Sequence, residues 1–230
     1  LNTLDGNTTG AVNASDLNTI SARTTATIDA TAATAINGSA ADVTTALADT
    51  QISHTNTFDV TLTATAARAT HLTAIDAATT KVVDGNLVTT LTGTAAEIAA
   101  AAQLDIDGTT TLKADFGATV DAGVVAAADL NTISGRTTAT IDATGATAIN
   151  GSAANVATVL ADTEISHTST FDVTLSTGSA TATALSTINA ATTKNIDATA
   201  VTAITGTAAA VKAIMDVEAN TGNFINLDGN

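Results

Sequence analysis

The chain has 230 residues, 45% of them apolar, yet only four are Phe and none is Trp or Tyr, so its core is built from many small contacts and suits a thin shape better than a round one. Acidic residues outnumber basic ones 22 to 7, giving a net charge of −15, which leaves few cations to neutralise phosphate and argues against nucleic acid or anionic membranes as partners. Cys and Pro are absent, which excludes a disulfide framework and thiolate zinc sites.

In chain order, the first helix signal is "SDLNTISART" from Ser15, where Leu17 and Ile20 are three apart and share one helix face. The phrase "TIDATAATAING" follows. It predicts two short strands around a small-residue corner near Asp29 to Thr31, with Ile28 and Ile36 turned inward. A second helix signal, "SAADVTTALAD", starts at Ser39 directly after Gly38, with Ser as N-cap and Val43 and Leu47 on one face. "FDVTLT" then alternates Phe58, Val60 and Leu62 as a half-buried strand.

The same order returns. "THLTAIDAAT" from Thr70 predicts a helix of the first type, "KVVDGNLVTTLTG" a strand–corner–strand, and "TAAEIAAAAQL" from Thr94 a helix of the second type opening on a capping box. "LDIDGTTT" from Leu104 sets Asp105 and Asp107 before Gly108. Alternating Asp beside Gly resembles calcium loops, so Asp105 and Asp107 are the candidate calcium ligands, although the Glu that closes a twelve-residue loop is missing. The competing reading is that such Asp cap helices and close turns. "LDGN" occurs near both ends of the chain.

From Leu130 the chain repeats itself. Leu17 to Leu62 matches Leu130 to Leu175 at 39 of 46 positions, a period of 113 residues, and the register continues beyond: "LTAIDAATTK" faces "LSTINAATTK". The predicted helices of this half are "ADLNTISGRT" from Ala128, "SAANVATVLAD" from Ser152, "TALSTINAAT" from Thr183 and "TAAAVKAIMDV" from Thr207. A fixed internal period is the signature of a repeat architecture, and a helix every 24 to 33 residues, roughly, is the length of one solenoid coil.

The expected fold is therefore an α/β solenoid, an elongated rod of about eight coils, each with short parallel strands and one short helix. Residues 1–230 read as a single repeat array, a segment of a longer protein, with long repeats at 17–129 and 130–230. Two separate α/β domains and a disordered low-complexity chain are the other arrangements weighed. The second conflicts with the positive mean hydropathy.

Little in the sequence carries chemistry. His54 and His167 are equivalent residues of "ISHT", and Ala184 stands where His71 would recur, so no metal or general-base role is assigned to them. No nucleophile elbow, phosphate loop or zinc-binding helix motif occurs, and nearly every notable residue has a copy, which points away from an enzyme. Asp29, Asp142 and Asp197 recur in "IDAT" and are expected to hydrogen-bond the amides of their corners. Thr-x-Thr pairs such as Thr25 and Thr27, Thr55 and Thr57, or Thr61 and Thr63 wander along the chain rather than marking every coil, as an ice-binding face would require. The N-glycosylation pattern at Asn7, Asn13, Asn37 and Asn150 is no more than the abundance of Asn and Thr produces. No apolar run reaches the ~18 residues of a membrane span.

"ADLNTISGRTTATIDAT", "INAATTKNIDATAVTAITGTAAAV" and "FDVTLT" together resemble the repeats of giant bacterial surface proteins, of the kind found in cyanobacteria and other aquatic bacteria. The resemblance covers nearly the whole chain. It implies export to the cell surface or an extracellular filament and a structural, adhesive or motility-related role, and it brings no catalytic residues. The expected function is a spacer, coat or fibre segment, with neighbouring copies or adjoining repeats stacked end to end or side by side as partners. The other reading is a multivalent adhesin whose outer face binds glycan, ice or mineral.

Overall fold

The computed structural model describes residues 3–5, 10–221 and 223–225. Among them are eight helices and twenty short strands in a mixed α/β arrangement, and every strand pair is parallel. No helix is long and apolar enough to cross a membrane. The chain divides into two compact units, Leu1–Gly93 with Ala100–Gly117, and Thr94–Ala99 with Ala118–Asn230.

The first unit runs β1 (Thr3–Asp5), β2 (Gly10–Asn13), α1 (Ala14–Ser21), β3 (Thr27–Asp29), β4 (Ala33–Asn37), α2 (Ala40–Ala48), β5 (Ile52–Ser53), β6 (Val60–Thr61), β7 (Ala66–Arg68), α3 (Ala69–Ala78), β8 (Val83–Gly85), β9 (Thr90–Gly93), α4 (Ala95–Asp107) and β10 (Thr110–Leu112). The first turn of α4 belongs to the second unit. That unit continues with β11 (Gly117–Val120), β12 (Gly123–Ala126), α5 (Ala127–Ser134), β13 (Ile141–Asp142), β14 (Ala146–Asn150), α6 (Ala153–Ala161), β15 (Ile165–Ser166), β16 (Val173–Thr174), β17 (Gly178–Thr181), α7 (Ala182–Ala191), β18 (Ile196–Asp197), β19 (Val201–Thr205), α8 (Ala208–Thr221) and β20 (Phe224–Ile225).

Strands pair by skipping: each lies parallel to the strand two places on in the chain, with a crossover between them. In the first unit the sheets are β1-β3-β5, β2-β4, β6-β8-β10 and β7-β9. In the second they are β11-β13-β15, β12-β14, β16-β18-β20 and β17-β19. Registry puts like on like: Ile28 faces Ile52, Val60 faces Val83, Ile141 faces Ile165 and Val173 faces Ile196. These side chains are buried, as are all four Phe. Ile28 and Ile36 lie inward as their spacing predicts, and so do Phe58, Val60 and Leu62. Only Val60–Thr61 of "FDVTLT" is continuous strand, with Leu62 joined to Gly38 by an isolated bridge.

The helices are short; α2, α4, α6, α7 and α8 open on a Ser or Thr that caps them, whereas α1, α3 and α5 open without a side-chain cap bond. Ser39, Ser152 and Thr207 each accept an amide three residues on. At α4 the box is reciprocal: the Glu97 amide donates to Thr94 Oγ1, and the Thr94 amide donates to Glu97 Oε2. Helical Thr turns its hydroxyl onto the preceding turn, as in Thr44 to the Ala40 carbonyl and Thr158 to the Ala154 carbonyl, so it leaves no polar group unmet. Within each unit successive helices lie side by side, α1 on α2 on α3, and α5 on α6 on α7 on α8.

One glycine shows how tightly strand and helix meet. Gly151 has φ +151°, and a Cβ there would stand 3.4 Å from the Ala127 Cβ at the start of α5. Gly151→Ala is expected to cost about 1–3 kcal/mol from backbone strain, and Ile149→Ala about 2–5 kcal/mol from the cavity it opens. Val124→Ala, at a side chain 71% exposed, should change stability by less than about 0.5 kcal/mol. Urea denaturation of the three variants checks this order.

Candidate functional site

The polar side chains that the sequence singles out are held at strand corners and between neighbouring turns of chain. At the first corner the Thr31 amide and hydroxyl both donate to Asp29 Oδ1, at 3.0 and 2.6 Å. Asp142 with Thr144, and Asp197 with Thr199, repeat the pair. Asp84 forms the fourth corner with the amide and side chain of Asn86. The carboxylate stands in for the carbonyl a tight turn would otherwise supply.

A second set ties one turn of chain to another. The Ser21 hydroxyl at the end of α1 donates to Asp49 just past α2, whose Oδ1 also accepts from the Gln51 amide. Ser134, Asp162 and Glu164 repeat this. Asn18 donates to the Asp42 carbonyl, as Asn131 does to that of Asn155. Asn37 Oδ1 accepts the Thr61 amide, and Asn150 Oδ1 the Thr174 amide. Thr79 and Thr192, both buried, donate to the carbonyls of Phe58 and Phe171 at 2.6 Å. Thr110 reaches Asp76, and Asn223 reaches Asn189. Sequence reading missed these bonds, because it does not say which distant segment a side chain will meet. The available signal was that each pair survives a shift of 113 residues.

The candidate calcium ligands are not in a loop. Both Asp105 and Asp107 lie in the last turn of α4, which runs three residues beyond the predicted "TAAEIAAAAQL". Gly108 ends the helix with φ +79°. The Thr109 amide returns to the Leu104 carbonyl and the Gly108 amide to that of Asp105, so this Gly stops the helix. Asp105 Oδ1 accepts the Leu112 amide at 2.6 Å, and Asp107 Oδ1 accepts from Gln103. Glu218 does at α8 what Asp105 does at α4, accepting the Phe224 amide. Among the described residues no group of three or more His, Asp or Glu is placed to hold a metal ion. The "LDGN" phrases and Asn7 fall wholly or in part outside the described residues.

His54 packs edge-on against Phe58, with ring centres 5.5 Å apart, and His167 does the same against Phe171. Nδ1 of each lies 2.7 to 2.8 Å from the carbonyl of the next residue, so that nitrogen carries the proton. This is a packing role, met twice. The grooves between helices are lined by small residues: that between α7 and α8 holds about 300 Å³ against Ala182, Ser186, Thr187, Ala210, Ala213 and Val217. Nothing lining it pairs a nucleophile with a base.

Comparison with protein-family models, with curated proteins and with solved structures finds no match.

The corner carboxylates give the fold a pH dependence. The hydroxyl of Thr31, then its amide, hold the Asp29 carboxyl below its usual range, as Thr144 does for Asp142 and Thr199 for Asp197. Asp49 is lowered by the Ser21 hydroxyl first and the Gln51 amide second. A carboxyl whose folded value lies below its unfolded value of about 3.9 stabilises the fold fully above that pH, and the contribution is lost as pH falls through the folded value. The melting temperature should therefore fall as pH is lowered from about 5 to 3, and Asp142→Asn should flatten that fall. Equal slopes in variant and parent, read by thermal melts across the pH range, would refute the assignment.

Proposed function

We propose that this chain is a structural repeat segment, an α/β solenoid of stacked coils that serves as spacer, coat or fibre element in a large extracellular or cell-surface bacterial protein. The observation that supports this best is the fate of its polar side chains. Ser21 with Asp49, Asn18 with the Asp42 carbonyl, Thr79 with the Phe58 carbonyl and Asp29 with Thr31 all recur 113 residues later in the same bonds. A catalyst needs a few groups that occur once and are aimed at substrate. Here the recurring groups are taken up by the fold's own backbone and side chains.

Parallel pairing with skipped order supports the solenoid, since a chain that winds forward lays each strand beside the one from the previous turn. An acidic surface without Cys keeps such a segment soluble and chemically inert. The likeness of its phrases to giant bacterial surface proteins is the ground for placing it outside the cell. No observation among the described residues favours the adhesin reading over the spacer.

Small-angle scattering tests the proposal. A compact globule of this length has a radius of gyration of about 17 Å. The solenoid predicts a clearly larger value and the linear cross-section region of a rod. A radius near that of the globule would remove the reading.

A further inference from the structure

We infer that Asn37–Gly38 and Asn150–Gly151 are deamidation sites that the fold holds shut, so that opening of β4 from the Thr61 strand, or of β14 from the Thr174 strand, sets the chemical lifetime of the chain. The inference does not depend on the spacer reading.

These are the two Asn–Gly pairs of the sequence. Such a pair is reactive because glycine has no side chain to hinder attack by its own amide. The Gly nitrogen loses its proton to base and attacks Cγ of the Asn. The Cγ–Nδ2 bond breaks, ammonia leaves and a cyclic succinimide closes. Water then adds to either carbonyl of the ring and gives aspartate or isoaspartate, with nothing oxidised or reduced.

One residue of a neighbouring strand occupies both partners of the first step. The Gly38 amide donates to the Thr61 carbonyl at 3.3 Å, and Asn37 Oδ1 accepts the Thr61 amide at 2.9 Å. The second pair repeats this on Thr174, at 3.2 and 3.0 Å. The nucleophile therefore keeps its proton, and the electrophile is drawn toward the neighbouring strand. On the opposite edge Asn13 of β2 pairs with Asn37, and Ala126 of β12 with Asn150. The carbonyls of Gly38 and Gly151 accept the amides of Thr63 and Ser176. Held from both edges, Cγ cannot swing onto the Gly nitrogen while the strands are paired.

Packing imposes the glycine but not the asparagine. Gly38 has φ +156°, and a Cβ there would stand 3.3 Å from the Ala14 Cβ. The equivalent pairs elsewhere in the repeat are Thr92–Gly93 and Thr205–Gly206, and Thr cannot form a succinimide. Isoaspartate would add a methylene to the main chain between Ile36 and Ala40, or between Ile149 and Ala153, all four of them buried. A chain that reacts while open then no longer closes in register, and a reversible opening becomes permanent.

The test incubates the whole chain in mildly alkaline buffer, folded and in urea, and follows every Asn by mass spectrometric peptide mapping with isoaspartate labelling. In urea Asn37 and Asn150 should react before any other Asn. In the folded chain both should react at least about a hundredfold more slowly, because only the open fraction is reactive. After dilution from urea, helical ellipticity should be lost in proportion to isoaspartate content, and an Asn37→Thr, Asn150→Thr double variant treated alike should recover in full. Equal rates in the folded chain and in urea would overturn the inference, as would an Asn37 and Asn150 no faster than other Asn in urea, or reacted chains that refold completely. The two rates on the parent decide the matter even where the double variant does not fold.

Discussion

Everything in this chain depends on aliphatic side chains stacking in register along parallel strands. The strands are two to five residues long and most helices eight to ten. Neither is stable alone: a two-stranded piece is marginal in water, and helices under about a dozen residues rarely persist without packing. Ile28 over Ile52 and Ile141 over Ile165 supply the missing energy, since each fully buried aliphatic contributes about 1.5–3 kcal/mol. Each short strand or helix is therefore folded because the elements paired with it are.

That constraint explains the composition. A small-residue core lets helix and strand approach closely, so Ala14, Ala40, Ala127 and Ala153 are all buried at helix starts. The four Phe are the chain's only large aromatics, and all are buried. Polar residues are chosen for short reach. Asp and Thr close corners, Ser and Thr cap helices, and Asn bridges to the next turn of chain. The acidic surplus follows from using Asp at so many corners, with hydroxyl and amide donors rather than Lys or Arg as its partners.

Much of this was legible in the residues. Ser39, Thr94, Ser152 and Thr207 marked helix starts through their own chemistry, and the inward Ile28 and Ile36 of the first strand pair followed from spacing. Two kinds of feature were not. Asp105, Asp107 and Gly108 suggest a cation loop by residue type alone, and no local pattern says that they also finish a helix, with the Thr109 amide returned to the Leu104 carbonyl. The bond from Ser21 to Asp49 joins residues 28 apart, and no local pattern fixes which turn of chain a hydroxyl meets. The sequence pattern starts α7 at Thr183, but its cap is Thr181, which ends β17 and whose hydroxyl accepts the Ala184 amide.

The central claim is that the 113-residue period is the unit of folding as well as of sequence. Excising residues 17–129, so that Asp16 runs directly into Leu130, removes one whole period and restores every neighbour relation at the join. Circular dichroism and a denaturant melt of that shortened chain test the claim most directly. The account predicts the same ellipticity per residue as the parent and one cooperative transition. A chain that loses its helical and strand signal, or melts without cooperativity, would contradict it.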